Sequence, residues 1–190
     1  AASHRQASLV RLAKNGGKGA AVISGLYVAD NMNFTHAIQI DADGQHDLAA
    51  VTDFLDQAHH NPQALVCGYP IYDQTVPLSR LWGRELTNFW VHVNTRSKAL
   101  RDAMCGFRVY PLAQTLPVLP SVKTRRMDFD PDIVVRLIWA GVTVINRPVR
   151  VTYPKDGISH FRGFSDNMRI SRLHAGHFCT MLLRRMGLAK

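Results

Sequence analysis

Residues 7–68 alternate between short apolar runs and helical periodicities, and this alternation limits the fold more than any other feature of the chain. Residues 7–12 (ASLVRL), 37–40 and 64–68 (ALVCG) read as strands. Between them, Ala20, Val22, Ile23 and Leu26 fall on one face of a helix over 19–29, and Val51, Phe54, Leu55 and Ala58 on one face of a helix over 48–59. Strand, helix and strand joined by short connections predict an α/β fold with a mostly parallel sheet flanked by helices.

The rest of the chain extends the pattern. A long helix is expected over 79–96, a strand over 105–112 bounded by Pro111, and a helix from Pro131 to Ala140, with the proline in its first turn and Gly141 after its end. Residues 142–153 read as a strand pair or as one strand broken at Pro148. The segment PKDGISHFRGF follows as a polar loop, then an amphipathic C-terminal helix over about 165–186. The expected organisation is one domain over 1–164 and a basic helical appendage over 165–190.

Composition narrows the classes. The chain has 190 residues, 46% of them apolar, enough for a sizeable core. Cys67, Cys105 and Cys179 are scattered and odd in number, which predicts neither a disulfide framework nor a zinc site and fits a reducing compartment. Residues 1–120 carry 10 Lys and Arg against 9 Asp and Glu, whereas 121–190 carry 13 against 5. The basic last third suits phosphate-bearing partners or simple solubility. No signal peptide is visible, and the longest apolar stretch, 133–145, is short and interrupted by Arg136, so no membrane span is expected.

Five segments carry candidate chemistry. Strand 37–40 runs straight into Asp41 and Asp43, with Gln45 close behind. Ligands of open α/β sheets bind at the carboxyl ends of strands, and carboxylates one residue apart there can share a hard cation, Mg²⁺ or Mn²⁺, through oxygen ligands. NGGKG (15–19) lacks the spacing of a phosphate-binding P-loop. It offers either Lys18 and backbone N–H groups to an anion or an ordinary strand–helix turn. Arg108 can grip a phosphate or pair with Asp102. Asp128, Asp130 and Asp132 crowd a helix start, where capping accounts for one and another can act as a general base or metal support. In the tail, Ile170, Leu173, His177 and Met181 form a stripe flanked by Arg169, Arg172, Arg184 and Arg185, fit for a membrane interface or for packing on the core.

Taken together, NGGKGAA (15–21), IQIDADGQH (38–46), DAMCGFRVY (102–110), FDPDIVVR (129–136), RPVRVTY (147–153) and GISHFR (157–162) resemble, in order and spacing, a family 2 glycosyltransferase of the GT-A, Rossmann-like fold. The likeness is to the polyprenyl-phosphate sugar transferases, similar to the dolichyl-phosphate mannose synthases. The resemblance implies a nucleoside-diphosphate sugar donor, an anionic lipid acceptor and a divalent metal on Asp41, Asp43 and Gln45. It implies Lys18 near the nucleotide, Asp102 beside the donor sugar and acceptor, Arg108 on a phosphate, and Ser159 and Arg162 closing over the diphosphate. Asp132 stands where relatives usually carry Glu, and Asp102 or Asp132 is the expected catalytic base if the acceptor is a hydroxyl. The implied setting is the inner face of a membrane, approached from the cytoplasm through the basic tail, in a bacterial cell envelope, with no role for nucleic acid.

The chain departs from the family in two ways. It begins after the elements that hold the donor's base and ribose, so an N-terminally truncated nucleotide site is expected. Gly44 sits inside the acidic turn where a bulkier residue is usual, and Cys105 precedes Gly106. Competing readings are an inert fragment, a sugar-1-phosphate nucleotidyltransferase and a basic membrane- or nucleic-acid-binding module. The second lacks its phosphate loop, and the third leaves the Asp41–Gln45 cluster unexplained.

Overall fold

In the computed structural model, residues 8–72, 76, 78–152 and 163–188 are described. The elements in chain order are α1 (Lys18–Asn31), β1 (His36–Gln39), α2 (Ala50–His60), β2 (Leu65–Tyr72), α3 (Leu78–Thr95), β3 (Arg108–Pro111), α4 (Leu112–Thr115), α5 (Phe129–Trp139), β4 (Val144–Val151) and α6 (Gly163–Arg185), with a short 3₁₀ turn at Leu119–Ser121. The four strands form one sheet in the order β1-β3-β2-β4. β3 is antiparallel to both neighbours, while β2 and β4 are parallel. Three strands therefore share a direction, as expected, and β3 runs against them between β1 and β2.

The two faces of the sheet carry separate cores. Leu65, Cys67 and Tyr110 pack with Val91, Phe129 and Ile133 under α1, α3 and α5. Val66, Val109 and Phe107 pack with Phe54 and Ala58 of α2 on the other face. The rings of Phe54 and Phe107 meet edge to face at 4.6 Å, and both are fully buried. Removing either ring would cost about 3–5 kcal/mol.

Local chemistry sets the element ends. Asp47 Oδ1 accepts the N–H of Ala49 just before α2. α5 ends at Gly141, whose φ of 84° lets Val142 N–H reach Leu137 O and Gly141 N–H reach Ile138 O, a Schellman closure. β4 continues through Pro148 as a single strand because it lies at the sheet edge, where a missing N–H is tolerated. Residues 8–12, expected as a strand, make no ladder pairing, and Leu9 and Val10 are exposed. An apolar run becomes a strand only where a partner edge is available.

α6 lies along α3. Ile170, His174 and His177 are its buried face. The expected stripe is thus partly right: Ile170 and His177 face the protein, while a second stripe of Phe178, Leu182 and Met186 is exposed. The histidines turn inward because they find partners there, His177 on Asp132 and His174 against Asn94.

Candidate active site

The end of β1, the loop before β3 and the first turns of α1 and α5 converge at one end of the sheet. Lys18 is the hinge of the cluster. Its ammonium lies 2.8 Å from Asp41 Oδ1, 2.8 Å from Asp41 Oδ2 and 2.6 Å from Asp130 Oδ2. Burial alone would lower the Lys18 pKa, but Asp130 and Asp41 outweigh it and raise it above the usual lysine range. Burial would likewise raise the Asp130 carboxyl, yet Lys18 and Arg108 hold it below the usual range. Gln39 Nε2–H donates to Asp130 Oδ1 at 3.2 Å.

The glycines around Lys18 allow a close approach. Gly17 has φ 89°, and a Cβ there would stand 2.6 Å from Arg125 O. A Cβ on Gly19 would stand 2.6 Å from Phe129 Cβ. NGGKG therefore packs the start of α1 flush against residues 125–129, which brings Lys18 to Asp130. A Cβ on Gly106 would run into the Asp41 carboxylate, so that glycine seats Asp41 against the loop before β3.

Asp43 is exposed, and its Oδ1 accepts the N–H of Gln45 at 3.1 Å, closing the turn. Gln45 O accepts from Thr152 N–H and Asp47 N–H donates to Arg150 O, tying the turn to the end of β4. Asp43 thus presents a hard oxygen donor to solvent, while both oxygens of Asp41 are engaged by Lys18. Among the described residues, no group of three His, Cys, Asp or Glu is arranged to hold a metal. A divalent ion here would rest on one or two carboxylates plus ligand oxygens, which is the usual habit of Mg²⁺. His46 is pushed below the usual histidine range by burial, against the pull of Asp41 and Asp43. Its ring meets the edge of Phe107 at 5.5 Å.

Asp102 is buried, and three donors converge on its Oδ1: Arg84 Nη1 at 2.6 Å, Met104 N–H at 2.9 Å and Cys105 N–H at 2.7 Å. It shapes the loop that carries Gly106. Arg108, expected on a phosphate or on Asp102, does neither. It is fully buried, donating to Ala103 O at 2.7 Å and Asp130 O at 2.9 Å. Its position on the inner face of β3 gives it no open side for a phosphate, and it braces Asp130 instead. The three carboxylates at the start of α5 are used separately, and none caps the helix. Asp128 Oδ1 accepts Arg126 N–H, Asp130 holds Lys18, and Asp132 is a buried junction. Asp132 Oδ1 accepts Arg136 Nε–H at 2.6 Å and faces His177 Nε2 at 2.9 Å, and its Oδ2 accepts Thr124 Oγ1–H at 2.8 Å. It has no open path to a substrate. Ser159 and Arg162 lie outside the described residues.

Asp130 and Arg84 are the site residues that motif reading did not single out. Asp130 was legible only as one of a crowd, and Arg84 only as one charge on a long helix. Burial pushes the Cys67 and Cys105 thiols up to about 12, so neither is a nucleophile at neutral pH.

No protein-family model matches the chain. The chain is 26% identical to the dolichyl-phosphate beta-glucosyltransferase of Dictyostelium discoideum over 133 residues, covering 66% of the chain and 40% of that relative. It therefore spans less than half the length of the curated relative it matches. Its fold superposes on glucosyl-3-phosphoglycerate synthase from Mycobacterium tuberculosis, solved with phosphoglyceric acid, with a TM-score of 0.54 at 13% identity over 96% of this chain and 58% of that one. The chain is accordingly similar in sequence to a glycosyltransferase across two-thirds of its length, and its mixed α/β fold is the GT-A fold.

Proposed function

We propose that this chain carries the transfer site of an inverting, metal-dependent glycosyltransferase that moves a sugar from a nucleoside diphosphate to a lipid-linked, anionic acceptor of the polyprenyl-phosphate kind. The observation that carries the proposal is the acidic turn at the end of β1, with Asp43 open to solvent and Asp41 held by Lys18. The similarity to a dolichyl-phosphate glucosyltransferase supports the acceptor class.

Asp43, with Asp41 and Gln45, would hold Mg²⁺ or Mn²⁺. When bound, such an ion supplies charge stabilisation to the departing diphosphate. Lys18 adds a fixed positive charge beside that position in a partly buried site, where it acts more strongly than in water. Asp102, pinned by Arg84, holds the 102–106 loop in place beneath Asp41. A phosphate acceptor is already anionic and attacks without a general base. The buried, fully engaged state of Asp132 supports that class of acceptor over a hydroxyl.

The outer face of α6 supports work at a membrane surface. Phe178, Leu182 and Met186 are exposed, Arg172 and Arg185 are exposed on the same helix, and no acidic residue follows Asp166. That combination favours an anionic bilayer. No helix among the described residues is long and apolar enough to cross one. The reading places the chain on the cytoplasmic face. The test is sugar transfer from UDP-glucose and GDP-mannose to polyprenyl phosphate in anionic vesicles by the full-length gene product. Transfer that needs Mn²⁺ or Mg²⁺ and is lost in Asp43→Ala is expected. Transfer from neither donor, or transfer indifferent to Asp43, overturns the proposal.

A further inference from the structure

Helix α6 reaches the site through one buried side chain. His177 is 2% exposed and sits 2.9 Å from Asp132 Oδ1. From Asp132 two arms lead to Lys18. One is covalent and short: Asp132 lies in the first turn of α5, two residues from Asp130, which holds the ammonium of Lys18 at 2.6 Å. The other runs through Thr124, whose hydroxyl donates to Asp132 Oδ2 at 2.8 Å. Thr124 precedes Arg125, whose carbonyl accepts the N–H of Ala20 and backs Gly17 so closely that no Cβ fits between them. Both arms end on the turn that presents Lys18 to Asp41.

We propose that His177 is a positioning residue: by fixing Asp132 it sets the start of α5 and the 124–126 loop, and so holds Lys18 against Asp41 and Asp130. The docking of α6 on the protein is thereby coupled to the geometry of the acidic turn. Its consequence for sugar transfer rests on the function proposed above, but the link itself does not, and the test is chosen accordingly.

The test reads Lys18 directly. The full chain is treated with an amine-acylating reagent at alkaline pH, well below its melting temperature. Modification of Lys18 is followed by peptide mass spectrometry, with exposed Lys123 as internal reference. Lys18 is engaged by two carboxylates and reacts slowly. His177→Ala is expected to speed its modification at least fivefold relative to Lys123, and His177→Gln, which restores a side-chain N–H donor, to return it most of the way. Ile170→Ala loosens the same helix without touching Asp132 and is expected to leave Lys18 slow. If His177→Ala does not fold, Thr124→Val removes the other hydrogen-bonded arm and is expected to give the same acceleration. Unchanged Lys18 reactivity in the folded variant, or equal acceleration by Ile170→Ala, overturns the inference. Failure of the glycosyltransferase reading would leave these labelling rates as predicted, so the two can fail separately.

Discussion

Lys18 Nζ lies 2.6 Å from Asp130 Oδ2, joining the first turn of α1 to the first turn of α5 across 112 positions of sequence. Asp130 is 2% exposed. Removing the ammonium leaves a buried carboxylate with the Gln39 amide at 3.2 Å and the more distant guanidinium of Arg108, 3.6 Å from its Oδ1. Lys18→Met should destabilise the fold by about 3 kcal/mol, measured by urea denaturation, and Lys18→Met with Asp130→Asn should recover part of that loss. A single variant as stable as a surface lysine substitution would contradict the buried pairing.

Gly17 tests the packing that delivers Lys18. Its φ of 89° and ψ of 173° belong to a region nearly restricted to glycine. Gly17→Ala adds backbone strain of roughly 1–3 kcal/mol to a collision with Arg125 O. Thermal unfolding should show a clearly lowered melting temperature. Gly25→Ala, where a Cβ meets nothing within 4 Å, should be neutral or stabilising.

Gly106 isolates Asp41. Its φ lies outside the left-handed region, so alanine is tolerated by the backbone, but the added methyl displaces the Asp41 carboxylate. Gly106→Ala in the full-length gene product should weaken Mn²⁺-dependent binding of nucleotide sugar more than tenfold by calorimetry. Unchanged binding would remove Asp41 from the site.

His174 gives the fold a pH dependence. Burial, aided by nearby His177, lowers its pKa from 6.5 to about 4. The unfolded chain therefore binds the extra proton between those values and the folded chain does not. The contribution is complete above about pH 6.5 and is lost as pH falls toward 4, with roughly 2 kcal/mol gone by pH 5. Urea denaturation at pH 7 and pH 5 should show that drop in the wild type and a smaller one in His174→Phe. An identical drop in both would contradict it.

Much of the fold was legible because it rests on local signals. The periodicities of 19–29 and 48–59, the first-turn proline of α5 and Gly141 after its end all located their elements. The reversed direction of β3 was not legible, since a four-residue strand reads alike in either sense. Residues 8–12 misled because apolar content cannot reveal whether a partner edge is present. At the site, the acidic turn after β1 and the glycine turn that carries Lys18 were visible as candidate segments, but not the pairing of Lys18 with Asp41 and Asp130. Arg108 and Asp132 looked like surface chemistry because charge in a sequence does not disclose burial. Both are buried charges held by partners that the motifs do not name, Arg108 by Ala103 and Asp130, Asp132 by Thr124 and His177. On paper the exposed stripe of α6 is the more apolar of the two. What sorts them is the supply of partners for His174 and His177 on α3 and α5.

The most direct test is calorimetric binding of UDP-glucose and GDP-mannose to the full-length gene product, with and without Mn²⁺, in the wild type and in Asp43→Ala. The account predicts that one nucleotide sugar binds only with the metal and that Asp43→Ala abolishes this binding without lowering the melting temperature, because Asp43 is exposed. Metal-independent binding, or binding that survives Asp43→Ala, would contradict the assignment of the acidic turn as the donor site.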